Sequence, residues 1–297
     1  MPRISKLTRR WLLLLATVGW ACLVARSAEA QSYPGATDRF FVASDGVRLH
    51  YLEAGPSAAS TLVLIPGWTM PAWIWGPQIT AFSRHYHVVA FDPRGQGLSE
   101  VALTGYEPRR RGQDIADLLS VIRGRKVVLV GWSLGVLDTL AFIHAEGDGR
   151  IAGLVLVDNS VGEEPPPAPS RAIRPPAPPI EHADFMRQFV RSMFRKPQSP
   201  DYLNALTDAT LRTPQYACTA LLAYPVPRSY WRNAVYSTTR PLLYAVRPAF
   251  AAQAANLERH RPNTEIALFT GVGHALFVDD ARRFNQIVGD FIARVSG

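Results

Sequence analysis

Along most of this chain the apolar residues fall into short continuous runs, and between the runs apolar positions recur at helical spacing. The runs are Thr61–Ile65, His87–Phe91, Lys126–Val130, Gly153–Val157, Pro241–Val246 and Thr264–Phe269. Uninterrupted apolar strands suit a parallel sheet covered on both faces, whereas a sheet with one wet face alternates. Ahead of them, Arg39–Ala43 and Val47–Ala54 flank Ser44-Asp45-Gly46, which reads as a hairpin. Helical spacing appears at Gln78–Arg84, Arg110–Arg123, Leu134–Glu146 and Ala281–Val295. The pattern predicts the α/β class, with an eight-stranded, mostly parallel sheet flanked by helices and its first pair antiparallel.

One region breaks the rhythm. Glu163–Pro179 is dominated by proline, whose ring removes a backbone donor and excludes a regular helix. After it, Glu181–Arg195, Pro200–Thr210 and Pro214–Ala223 return to helical spacing. Residues 160–240 are therefore expected to form a helical cap inserted after the sixth strand. The core is then made of residues 31–159 and 241–297.

The N-terminus follows a different logic. Arg3, Lys6, Arg9 and Arg10 precede the apolar stretch Trp11–Val24, and Ala28-Glu29-Ala30 is a small-x-small cleavage site. Residues 1–30 are expected to be a signal peptide cut near Ala30, giving an exported protein, periplasmic or secreted. The alternative is an uncleaved N-terminal anchor, for which the apolar run is short. Thr8–Leu13 partly resembles a twin-arginine signal, although the apolar run suits the general secretory route equally.

Removing this segment changes the charge. The whole chain is formally +8, but residues 31–297 hold 27 basic and 23 acidic residues, a net +4. That balance, without a Lys/Arg stripe carrying interleaved aromatics, gives no sign of a nucleic-acid partner. Cys218 is the one cysteine after residue 30, so no internal disulfide can form there.

The most specific motif is Gly131-Trp132-Ser133-Leu134-Gly135, directly after one apolar run and at the start of a helical stretch. A sharp strand-to-helix turn strains the backbone at the serine and leaves little room beside it. Glycines two residues before and after meet that demand and lift the hydroxyl into a site. A serine needs an adjacent base to act as a nucleophile at neutral pH. Of seven histidines, His274 stands out, because Gly271-Val272-Gly273 places it on a loop after the last strand.

The chain here resembles the α/β-hydrolase superfamily, in its esterase, lactonase and haloperoxidase-like perhydrolase branch. Ile65-Pro66-Gly67-Trp68 resembles the oxyanion loop, Phe91-Asp92-Pro93-Arg94-Gly95-Gln96-Gly97 the turn after the fourth strand, and Gly273-His274-Ala275-Leu276-Phe277 the histidine loop. These matches span about 39–159 and 241–296. The resemblance implies Ser133 as nucleophile, His274 as base, and backbone N–H groups of Trp68 and Leu134 as the oxyanion hole. It departs from the family at the acid. Relatives usually carry an aspartate shortly after the seventh strand, but Arg247-Pro248-Ala249-Phe250-Ala251-Ala252 has no carboxylate. Asp158, after the sixth strand, is the expected substitute, with Glu163 in reserve. Asp92 and Arg94 are expected to pin loops beneath the site. Trp68, Trp132 and Phe277 are expected to line an apolar substrate pocket.

These readings predict hydrolysis of a carboxylic ester with a small or medium apolar part through an acyl-enzyme. Lactonase, perhydrolase or acyltransferase activity on the same triad is the near alternative, and a non-catalytic ligand-binding protein is the alternative of another class. No metal and no organic cofactor are expected, since no Cys/His cluster has ligand spacing. The partner expected is a small-molecule ester, and the oligomeric state is left open.

Overall fold

The computed structural model describes residues 33–122, 126–166 and 181–296. The expected signal segment and much of the proline-rich stretch lie outside these residues. Eight strands form one sheet: β1 (Thr37–Val42), β2 (Arg48–Ala54), β3 (Thr61–Ile65), β4 (His87–Asp92), β5 (Val127–Trp132), β6 (Ile151–Val157), β7 (Leu242–Val246) and β8 (Thr264–Leu268). Their order is β1-β2-β4-β3-β5-β6-β7-β8. β2 runs antiparallel to both β1 and β4, and the other neighbours are parallel. The sequence-predicted class and strand count are those observed.

The central strands are buried at every position, as their apolar runs require. Alternate residues feed two cores. Val63, Ile65, Leu129, Leu154 and Leu156 point to one face of the sheet, where they meet α2 (Pro108–Val121), α3 (Leu134–Glu146) and α8 (Ala251–His260). Leu62, Leu64, Val128, Val130 and Val155 point to the other, against α1 (Gly76–Phe82) and α10 (Ala281–Val295). On α10 the buried residues are Phe284, Val288, Phe291 and Ile292, one stripe of an amphipathic helix. Each fully buried leucine or valine of these layers contributes about 1.5–3 kcal/mol.

Between β6 and β7 the chain forms α4 (His182–Ser192), α5 (Pro200–Leu211), α6 (Gln215–Leu221) and α7 (Arg228–Ser237). Proline opens three of them: Pro200 is the first residue of α5, and Pro214 and Pro227 cap α6 and α7. Several hydrogen bonds tie this segment to the core, among them Thr213 Oγ1 to Gly95 O at 2.7 Å, Arg212 Nε to Gly97 O at 2.9 Å, and Trp68 Nε1 to Cys218 O at 2.9 Å. α7 packs Trp231, Ala234 and Val235 into the same apolar layer as α3. Cys218 is buried here, and burial pushes its thiol up to about 11. Among the described residues no helix is long and apolar enough to cross a membrane.

Candidate active site

β5 ends in a turn that the surrounding backbone leaves no freedom to vary. Ser133 has φ 55° and ψ −120°, a conformation that L-residues rarely adopt and that costs about 1–3 kcal/mol. Gly131 and Gly135 are dictated by close approach. A Cβ at Gly131 would lie 2.4 Å from Gly135 O, and one at Gly135 would lie 2.4 Å from Ile65 O. The strained serine is held by its N–H to Val157 O at 2.9 Å and by Asn159 Nδ2 donating to Ser133 O at 2.8 Å.

His274 reaches the serine from the loop after β8. Trp132 Nε1 donates to His274 O at 2.9 Å, and Gly273 N donates to Asp279 Oδ2 at 2.6 Å. A Cβ at Gly273 would stand 2.3 Å from Met193 O, so the loop can pass under the end of α4 only with glycine there. His274 Nε2 then lies 2.8 Å from Ser133 Oγ, and Nδ1 lies 2.6 Å from Asp158 Oδ2. The Asp158 side chain has no exposed surface, and its N–H donates to Ala245 O at 2.9 Å. Proton placement on the ring follows from these contacts. A proton on Nδ1, donated to Asp158, leaves Nε2 free to accept one from Ser133.

A residue not expected from the sequence completes the arrangement. Arg247, immediately after β7, donates its backbone N–H to Asp158 Oδ1 at 3.0 Å and its Nε–H to Asp158 Oδ2 at 2.6 Å. Its Nη2 is 3.4 Å from His274 Nδ1. The buried carboxylate thus has two donors from Arg247 and one from His274. Sequence inspection noted that a carboxylate was missing at this place. What it could not supply was the long-range pairing of Arg247 with Asp158.

The remaining site residues separate into those that reach the cavity and those that do not. Trp68 and Leu134 line a cavity of about 220 Å³ that opens on Ser133 and His274. Leu134 is the first residue of α3, where helix N–H groups lack an internal acceptor, and neither its N–H nor that of Trp68 has an acceptor among the described residues. Trp132 and Phe277 correct the sequence reading: they lie beneath the site, not in the pocket wall. Both are about 1% exposed or less, and Phe277 stacks on Trp75 with ring centres 4.0 Å apart. Trp132 follows the β5 alternation into the second core, so its contribution is to hold the histidine loop. Glu163, the reserve acid, is bonded to Tyr236 and, at 2.9 Å, to Asn256 Nδ2. Burial opposes its ionisation, but the Tyr236, main-chain and Asn256 hydrogen bonds prevail and hold its carboxyl below the usual range. Asp92 accepts from His50, Ala72 N and Leu98 N, beneath the site. Among the described residues no group of three or more His, Cys, Asp or Glu is placed to hold a metal ion.

A second cavity of about 810 Å³ lies under α4 and α6 and shares Trp68 and Leu222 with the first. Its wall includes Phe185, Met186 and Cys218, with Glu181, His182 and Gln215 as polar members.

Comparison with known proteins gives a consistent picture. The model of the alpha/beta hydrolase family matches residues 62–287. A non-heme chloroperoxidase of Streptomyces lividans is 33% identical over 115 residues, which is 38% of this chain and 42% of that protein. A non-heme haloperoxidase of Rhodococcus erythropolis is 30% identical over 159 residues, 52% of this chain and 56% of that protein. These alignments cover less than two thirds of either relative. Among solved structures, the esterase RhEst1 from Rhodococcus sp. ECU1013 superposes with a TM-score of 0.73 at 25% identity, covering 87% of this chain and 99% of that one.

Proposed function

The chain belongs to the alpha/beta hydrolase family, and from that premise we propose that it is a hydrolase of carboxylic esters acting through an acyl-enzyme on Ser133. The observation that carries this reading is the continuous contact Asp158–His274–Ser133, with a strained serine facing a cavity. Ser133 Oγ attacks the ester carbonyl while its proton passes to His274 Nε2. Asp158 holds Nδ1–H and so fixes both the tautomer and the ring. The Trp68 and Leu134 N–H groups receive the oxyanion, a role worth roughly 3–4 kcal/mol of barrier per donor in comparable sites. His274 returns the proton to the leaving alcohol, and water then releases the acid by the same steps in reverse roles.

Substrate size is argued from the two cavities. A small acyl or alcohol part fits the space at Ser133, and a larger apolar part extends past Trp68 and Leu222 into the second. Lactones use the same chemistry and belong to the same proposal. Export is a separate proposal, resting on the N-terminal residues alone. N-terminal sequencing of the protein recovered from outside the cytoplasm should begin at Gln31, and recovery of an intact Met1 chain there would overturn cleavage.

The test is turnover of 4-nitrophenyl esters of increasing acyl length, with lactones alongside. Wild type should hydrolyse at least the short and medium esters, and Ser133→Ala should lower kcat by about 10⁵–10⁶. Wild type without turnover on any ester or lactone, or Ser133→Ala with wild-type turnover, would sink the reading.

A further inference from the structure

Arg247 is, among the described residues, the permanent cation on the wall of the catalytic cavity, at the strand end where the family resemblance leads one to expect an acid. Its donors can be accounted for one by one. The backbone N–H and Nε–H go to Asp158. Nη2 stands 3.4 Å from His274 Nδ1, but a ring that gives its Nδ1 proton to Asp158 has no lone pair there to accept another. Nη1 has no acceptor among the described residues. The outer edge of the guanidinium therefore has no partner among the described residues, on a side chain that is 32% exposed while its aspartate is fully enclosed.

The same geometry sets an electrostatic problem. When His274 takes the Ser133 proton it becomes a cation beside the guanidinium, and at this range like charges in a protein site repel appreciably. Arg247 also competes with Asp158 for Nδ1. If Nη2 donates to Nδ1, the ring proton moves to Nε2 and faces the serine, where it blocks the base. Asp158 offsets one positive charge, not two. A second anion, in the cavity and against the free edge of Arg247, would draw Nη2 away from His274 and balance the imidazolium as it forms. Arginine is suited to the task, because its planar edge binds a carboxylate through paired hydrogen bonds.

We infer that Arg247 is a substrate-carboxylate subsite, so that the preferred substrates are esters carrying an anionic carboxylate within reach of the scissile carbonyl. The inference rests on the ester-hydrolase reading of Ser133. A neutral ester leaves Arg247 facing His274, whereas a carboxylate-bearing ester binds it and gains in kcat as well as in KM.

Two matched pairs of probes test this on either side of the ester. On the acyl side, 4-nitrophenyl hydrogen adipate and 4-nitrophenyl hexanoate differ only in a terminal carboxylate or methyl. On the alcohol side, 4-acetoxybenzoate is compared with its methyl ester, each rate divided by that of hydroxide with the same ester. In wild type the carboxylate member of at least one pair should have the higher kcat/KM. That preference should fall about tenfold or more in Arg247→Gln, the value of one charge-assisted hydrogen bond. Arg247→Lys should keep part of it, and added salt should erode it in wild type without any mutation. A residue that merely braces Asp158 would slow both members equally and leave the ratio fixed. No preference in wild type, or the same ratio in wild type and Arg247→Gln, overturns the subsite while esterase turnover stands. No turnover of any probe overturns the ester-hydrolase reading and the subsite with it.

Discussion

At the end of β4, Asp92 and Arg94 have every strong partner inside the protein. Asp92 accepts from His50 and from two backbone N–H groups. Arg94 forms a two-point pair with Asp114, at 2.6 and 2.7 Å, and reaches Asp45 at 2.9 Å. Its side chain is 1% exposed. At the ends of β6 and β7, Asp158 and Arg247 form a pair of similar chemistry with a different outcome. The aspartate is enclosed, but the arginine keeps an uncommitted edge toward the cavity and the aspartate also holds the histidine. The first pair locks loops; the second, on the subsite proposed above, leaves charge available to a substrate group. Residue type does not separate them, and the remaining hydrogen-bond capacity does.

The largest effect that can break this contrast is at Asp158. Asp158→Asn should lower kcat by about 10⁴, since an amide at this position favours the wrong ring tautomer. Near-normal turnover in the asparagine variant would remove Asp158 from the triad. Next comes Arg94→Met, which leaves a buried aspartate without its two-point partner and should cost about 3–5 kcal/mol of unfolding free energy. Chemical denaturation measures it, and the carboxylate-to-neutral ester ratio should stay as in wild type. A shifted ratio would mean that the β4 pair also acts on substrate.

A third pair gives the smallest effect and sharpens the rule. Asp138 and Arg111 are both buried, with Arg111 Nε 3.2 Å from Asp138 Oδ1, yet neither of these two atoms has a hydrogen-bond partner among the described residues. Burial pushes the Asp138 carboxyl up to about 6, from an unfolded value of 3.8. Below about pH 4 the proton is bound in both folded and unfolded chains, so the site costs nothing. As pH rises from about 4 to 6 the unfolded chain releases this proton while the folded chain still holds it, and stability is lost over that window. Asp138→Asn mimics the protonated form, so between pH 4 and pH 7 it should gain about 1–3 kcal/mol on wild type. A difference between the two proteins that does not vary with pH would contradict this.

Much of the site could be read from the sequence because its constraints are local. The glycines around Ser133 answer a steric demand within one turn, and His274 sits in a glycine loop after the last apolar run. The central parallel strands announced themselves by nearly unbroken apolar runs, such as Val127–Trp132 and Leu242–Val246. Other features depend on contacts across the fold. Trp132 and Phe277 lie near candidate catalytic residues in the sequence, but both side chains enter the second core: Trp132 by the alternation of β5, and Phe277 from the single-turn helix α9 (Leu276–Asp279). α7 escaped the sequence reading because its apolar face is short, Trp231, Ala234 and Val235, and forms a stripe only against α3. α8 begins at Ala251 behind Phe250, with no Ser, Thr, Asp or Asn cap to mark its start. Arg247 acquires meaning only through Asp158, 89 residues earlier.

The central claim is that Ser133, set against His274, is the nucleophile of this hydrolase. The most direct measurement is to treat the folded protein with a fluorophosphonate and map the adduct by peptide mass spectrometry. The account predicts one phosphonyl group on Ser133, formed far more slowly in His274→Ala. No adduct in wild type, or an adduct on another residue that persists in Ser133→Ala, would contradict it.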